Sequence, residues 1–209
     1  MTRAVIFDFG NVLCFPPAHD KIARAAQFCS MTEHAFLEAF WAERLHYDAG
    51  KLSPSEYWTT VTNEAFANEN LAKLIEIEID FWNEYDPRPF DWIAALRRKG
   101  LRVGMLSNLP QVLGDALRDT RYLGRPFFDH FDHVTLSCEL GSVKPQSPIY
   151  RHSFEGLKVN PEEALFIDDK LPNVHGAIET GLRAELFTTW EDFLGRGVPK
   201  LYNLPDAPR

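Results

Sequence analysis

Val5-Ile6-Phe7-Asp8-Phe9-Gly10-Asn11-Val12 is a short apolar run that takes up one carboxylate and closes on a glycine and an asparagine. From Ala4 to Phe9 it is too short for an ordinary helix, and it reads as a strand buried on both faces. An ionised Asp in such a run is costly unless a cation or hydrogen bonds compensate it. Asp8 is therefore either a local cap for the following loop or part of a charged site.

Four later runs repeat the pattern: Val103 to Ser107, His133 to Ser137, Ala164 to Asp168 and Arg183 to Phe187. Helix-like segments lie between them. Short apolar strands alternating with helices specify an α/β fold around a buried parallel sheet, with polar residues gathered at the strands' carboxyl ends. Ser53-Pro54 with Glu56 predicts a capping box. Asp86-Pro87, Ser147-Pro148 and Asn160-Pro161 each predict a cap followed by Pro at the first helical position. From about Pro17 to Asp86 the chain carries about four helical segments and no clear strand, too much for a plain crossover, so a helical subdomain is expected there. Within it Leu71, Leu74, Ile75, Ile79 and Trp82 share a helical face. The tail from Val198 to Arg209 predicts a surface strand or a loosely docked terminus.

The 209 residues are 45% apolar and 13% aromatic, a composition able to build a core without metal or disulfides. Lys+Arg 22 against Asp+Glu 30 gives a net charge of −8, a field that argues against nucleic acid as a partner. Cys14, Cys29 and Cys138 are an odd set without metal-type spacing, as expected for reduced thiols. With neither a leader pattern nor an apolar run of membrane length, the expectation is a soluble cytoplasmic protein with no membrane partner.

Strand two ends in Ser107-Asn108 just before Pro110, at a helix start that favours an anion. Strand four ends in Asp168-Asp169, adjacent carboxylates that repel unless a divalent cation or a lysine lies between them. Lys144 stands in Gly141-Ser142-Val143-Lys144-Pro145, after strand three. Ligands of an open parallel sheet bind at the strands' carboxyl ends, so Asp8, Ser107, Asn108, Lys144 and Asp169 can converge on one crevice. Carboxylates for a divalent ion, neutral phosphate donors and a lysine are the equipment of phosphoryl transfer.

With these residues in this order, the chain resembles the haloacid dehalogenase superfamily of aspartate-nucleophile hydrolases over nearly its whole length. The resemblance implies a Rossmann-like sheet of order 3-2-1-4-5, a core of residues 1–15 and 87–209, and a helical cap of residues 16–86. Tyr47-Asp48-Ala49-Gly50-Lys51-Leu52-Ser53 resembles the family's turn before a cap helix. By the same resemblance Asp8 is nucleophile and Mg²⁺ ligand, Ser107 and Asn108 bind phosphate, and Lys144 steadies both nucleophile and phosphate. Asp169 and the backbone carbonyl of Gly10 complete the metal site, and Asp168 supports it from behind or through water. The implied activity is Mg²⁺-dependent hydrolysis of a small phosphorylated metabolite, with a sugar phosphate as the expected substrate.

Gly10 departs from the family's usual first motif, which has an acid there for proton transfer; a sugar-1-phosphate phosphatase-like subset shares the Asp-x-Gly-Asn-Val form. His19, His46 and Asp48 are candidates for the missing acid, although each is more simply a surface or packing residue. Two other functions stand beside the phosphatase. A 2-haloacid dehalogenase would use Asp8 on carbon without Mg²⁺, and a non-catalytic sensor or interaction module would keep only the phosphate and metal pocket. His130 and His133 read as a solvated loop, Arg97, Arg98, Lys99 and Arg102 as a favourable helix C-terminus, and Asn11 as a local turn residue. Trp41, Tyr57, Trp58, Phe81 and Trp82 read mainly as core, with one or two available to line a cleft.

Overall fold

The computed structural model describes residues 1–64 and 68–208. Five parallel strands form the main sheet: β1 (Ala4–Phe7), β2 (Arg102–Ser107), β3 (His133–Leu136), β4 (Ala164–Asp168) and β5 (Arg183–Leu186). Their spatial order is β3-β2-β1-β4-β5. β1 is central, with Phe7 opposite Met105 on one side and Ile167 on the other. Ala4, Val5, Ile6 and Phe7 are all buried, because helices cover both faces. A two-stranded ribbon, Arg121–Tyr122 with Arg125–Pro126, lies apart from the sheet.

Asp86 caps α6 (Pro87–Arg98) by accepting from the Arg88 N–H at 3.0 Å. α7 (Gln111–Asp119) follows β2, α8 (Ser137–Leu140) and α9 (Ser147–Gly156) follow β3, and α10 (Leu171–Glu179) follows β4. Ser147 is not a cap: Gln146 holds that position without a side-chain bond, and Ser147 and Pro148 already lie in the first turn. Asn160 does form a capping box with Glu163, but on a 3-10 turn, Pro161–Glu163, that leads straight into β4.

Five helices precede α6 between β1 and β2 and form a separate lobe: α1 (His19–Phe28), α2 (Glu33–Ala42), α3 (Arg44–Asp48), α4 (Pro54–Thr62) and α5 (Asn68–Phe81). The capping box at Ser53 and Glu56 starts α4. These helices have their own core, in which Phe36, Phe40, Tyr57, Trp58, Leu74 and Phe81 are buried together. The buried side of α5 is turned slightly from the predicted face. Leu74, Glu78 and Phe81 point inward while Ile75 and Ile79 are half-buried. Glu78 is tolerated there because Arg44 reaches it at 2.7 Å and reaches Asp48 at 2.7 Å, so that a buried cation serves two buried acids.

The chain leaves and re-enters the sheet layer at one doubled seam. Phe15 N donates to Glu84 O at 2.8 Å, and Asp86 N donates to Leu13 O at 3.0 Å. The helical lobe also touches the other layer at its α3–α4 turn, where Ser137 Oγ donates to Asp48 O at 2.5 Å.

The C-terminal tail is neither a strand nor loose. A short helix, Val198–Leu201, leads into a segment whose carbonyls accept from indoles: Trp92 Nε1 to Pro205 O at 2.9 Å and Trp190 Nε1 to Pro208 O at 2.7 Å. Leu204 is buried, and Thr2 ties the N-terminus to Tyr202 O at 2.7 Å. Arg209 lies outside the described residues. His130 is also buried rather than solvated, with its Nε2 3.0 Å from Tyr122 O.

Candidate active site

The carboxyl ends of β1, β2 and β4 meet the loop after α8 at the floor of one cleft. It is lined by Asp8, Gly10, Ser107, Asn108, Lys144 and Asp169, with the helical lobe forming its roof. All the metal- and phosphate-site residues expected from sequence except Asp168 line this cleft, and Asp168 lies directly behind its floor.

Lys144 is the hub. It is buried, and Nζ lies 2.7 Å from Asp8 Oδ1, 2.7 Å from Asp168 Oδ2 and 3.2 Å from Leu106 O. Burial works against its charge, but the two carboxylates outweigh that and hold the ammonium protonated more firmly than usual. Its loop is fixed by Asn108, whose amide donates to Lys144 O at 3.0 Å and accepts from Lys144 N at 2.8 Å. Asn108 therefore positions Lys144 through both ends of its amide.

Asp168 and Asp169 differ sharply. Asp168 is fully buried and accepts from Lys144, from the Lys170 N–H at 2.8 Å and from Asn173 Nδ2 at 2.9 Å to Oδ1 and 3.1 Å to Oδ2. Asp169 is half-buried, and its Oδ2 accepts from Asn11 Nδ2 at 2.7 Å. Asn11 occupies the left-handed region with φ 61°, so the tight turn after β1 is what presents its amide to Asp169. Asn11 and Asn173 are the site residues that sequence reasoning missed as supports. Each is a short amide whose partner is set by tertiary placement.

One oxygen from each of Asp8, Asp168 and Asp169 lies within 4.8 Å of the others. Burial pushes the Asp8 carboxyl up to about 7, Lys144 opposing this and the Asp168 and Asp169 charges adding to it. Asp169 is raised as well, mainly by burial. One lysine does not fully compensate three converging carboxyls, and an all-oxygen donor set of this kind fits a hard divalent cation.

Gly10 packs against the lobe. A Cβ there would meet Trp82 Cζ3 at 3.2 Å and Cη2 at 3.7 Å, so the indole fills the volume an acidic side chain would need. Gly10→Asp is accordingly expected to destabilise the protein by about 1–3 kcal/mol through overpacking. Adding Trp82→Ala should restore part of the lost Tm, and thermal melts of the single and double variants check the coupling. Among the three candidates for the missing acid, His19 and His46 are exposed and face Glu33 and Glu43, 3.0 and 2.6 Å away. Asp48 lines the cleft, and burial raises its carboxyl despite Arg44.

A model of the haloacid dehalogenase-like hydrolases matches residues 2–181. The chain belongs to that family. It is 29% identical over 186 residues to a D-ribitol-5-phosphate phosphatase of Bacteroides thetaiotaomicron, covering 87% of this chain and 89% of that protein. It is 31% identical over 182 residues to the sesquiterpene phosphatase astK of Aspergillus oryzae, covering 86% of this chain and 87% of that one. A HAD family enzyme from B. thetaiotaomicron, solved in complex with magnesium and inorganic phosphate, shares the fold with a TM-score of 0.74 and 20% identity over 92% of this chain and 99% of that one. The family makes the chain a hydrolase with phosphatase relatives. Among the described residues no helix is long and apolar enough to cross a membrane.

Proposed function

We propose that this hydrolase is a Mg²⁺-dependent phosphatase that cleaves a small phosphorylated metabolite through a phospho-Asp8 intermediate. The observation that carries the reading is the Asp8–Lys144–Asp168 chain with Asp169 beside it on a common floor. The magnesium and phosphate bound by the fold relative, and the phosphatase names of the sequence relatives, support it. The helical segment 16–86 serves in this reading as a cap on a core formed by 1–15 and 87–209, and the protein works in the cytoplasm, where its free thiols stay reduced.

Asp8, Asp169 and the Gly10 carbonyl would hold the ion; Asp168, saturated by its own hydrogen bonds, supports them from behind. When bound, Mg²⁺ neutralises charge on the phosphoryl oxygens. Both polar contacts to the Asp8 carboxylate, from Phe9 N at 2.7 Å and from Lys144, fall on Oδ1. Among the described residues nothing donates to Oδ2. An Asp8 carboxylate oxygen bonds to phosphorus as the bond to the alcohol oxygen breaks, and Lys144 and Ser107 face the phosphoryl group during transfer. The departing oxygen needs a proton that Gly10 cannot give, and Asp48, a carboxyl with a raised pKa on the cleft wall, is placed to hold it. Water then attacks the phosphorus of phospho-Asp8, its proton passing to the Asp48 carboxylate, and inorganic phosphate leaves as the Asp8 carboxylate is restored.

The test is phosphate release from p-nitrophenyl phosphate and a panel of small phosphomonoesters, with Mg²⁺ or with chelator. Turnover with Mg²⁺ that disappears with chelator is expected, and Asp169→Ala should sharply raise the Mg²⁺ concentration needed. Chloride release from a 2-haloacid in chelator, without phosphatase turnover, would instead identify a dehalogenase.

A further inference from the structure

The roof of the cleft has a different chemistry from its floor. The charged groups of the floor lie at the strand ends, whereas Ile22, Leu37, Phe40, Trp41, Phe81 and Trp82 face the same space from the lobe. The cavity is about 780 Å³, toward the upper end of the range of about 300–1,000 Å³ typical of sites that enclose small molecules. A phosphate ester held by Lys144 and Ser107 must direct its alcohol portion into this apolar space.

The polar groups on the roof side are engaged with one another. Arg44 and Asp48 also line the cleft from the lobe, and Arg44 gives Nε to Asp48 and Nη1 to Glu78, each at 2.7 Å, so their charges are answered within the lobe. Asp48 meets the sheet layer, its carbonyl accepting from Ser137 Oγ at 2.5 Å just past the end of β3, so this pair sits at the edge of the roof beside the strand ends. Lys170 Nζ sits 5.1 Å from the Trp41 ring, drawn to its face. The indole N–H of Trp82, buried without a partner, can serve one oxygen. A polyol presents several hydroxyls, and each one moved from water against these side chains without a partner weakens binding. An apolar alcohol gains from the same burial.

We infer that the substrate is the phosphate monoester of a predominantly apolar alcohol, aliphatic or aromatic, rather than of a sugar or polyol. The inference rests on the phosphatase reading for its chemistry but on the lobe's side chains for its content, so the two fail separately. The phosphate end then supplies orientation and the roof supplies selection. Trp41, 44% exposed at the rim, is the residue that a longer alcohol would cover.

n-Alkyl phosphates provide the test, because their leaving groups share nearly the same basicity and differ only in apolar length. From ethyl to hexyl phosphate, kcat/KM with Mg²⁺ is expected to rise about threefold per methylene, close to the limit set by full burial of each CH₂. n-Pentyl phosphate should exceed D-ribitol 5-phosphate, which has the same number of carbons, by at least about tenfold. Trp41→Ser, at a partly exposed position where the fold should tolerate it, should lower that ratio severalfold. A flat series or a preference for ribitol 5-phosphate would overturn the inference while leaving the phosphatase intact. If no ester turns over, calorimetric binding of the same two esters to Asp8→Asn with MgCl₂ still decides. Tighter pentyl phosphate supports the apolar site, and equal or reversed affinities refute it.

Discussion

Asp8→Asn is expected to abolish phosphate release, by about 10⁴-fold or more as for loss of other nucleophiles, and to raise the Tm of the metal-free protein. The two effects share a cause. Asp8 is buried with Asp168 and Asp169 nearby, and its carboxyl sits at about 7 in the folded protein against 3.8 ordinarily. Between those values the folded state holds a proton that the unfolded state has released, so stability falls as pH rises through this window. Above about pH 7 the folded carboxylate is charged and carries the full penalty, at most about 4 kcal/mol at ~1.4 kcal/mol per pKa unit. Asparagine never takes that charge. The Tm advantage of Asp8→Asn in chelator should therefore be near zero around pH 4 and widen toward pH 8. A constant gap, or a less stable variant at pH 8, would show that the acidic cluster is not the strained element described here. The expected widening would place function and instability at the same residues, as is common where a site must receive a cation.

The sheet was legible because each strand is a local signal. Ala164–Asp168 matches the expected run, and the others end within two residues of theirs. Asp8, Ser107, Lys144 and Asp169 could be gathered from sequence because parallel strands deliver their last residues to one edge whatever separates them in the chain. Supports were harder to see. Asn11 and Asn173 are ordinary turn and helix-start residues until Asp169 and Asp168 stand within hydrogen-bonding reach. The Arg44–Glu78 pair spans two lobe helices, so an apolar-face count on α5 could not show that an acid occupies its buried side. The tail was misread because its anchors are carbonyls of Pro205 and Pro208, which have no side-chain signature. Gly10 shows the limit most clearly. Sequence identified an absent acid, and only packing showed that Trp82 occupies its place.

Lys144→Ala should be the most destabilising single change at the site, by about 3–5 kcal/mol, because it leaves buried carboxylates without their cation. Nζ lies 2.7 Å from both Asp8 and Asp168, but the two acids would not suffer equally. Asp168 keeps the Lys170 N–H and both bonds from Asn173, whereas Asp8 keeps the Phe9 N–H. The deficit should therefore concentrate on Asp8, so that Asp8→Asn in the Lys144→Ala background restores more stability than it adds to the native chain. Urea titrations of the four proteins at pH 8 measure that coupling directly. The same logic gives its pH dependence: Lys144 holds the Asp8 carboxyl down, so its removal lifts that carboxyl further, and the Lys144→Ala defect should shrink as pH falls toward about 7 and change little below it, where Asp8 is neutral in both proteins. Additive effects of the two substitutions would mean that Lys144 stabilises the fold through Asp168 and Leu106 alone. The Asp8 carboxylate would then be oriented by its own turn, and Lys144 would be left to act on the substrate.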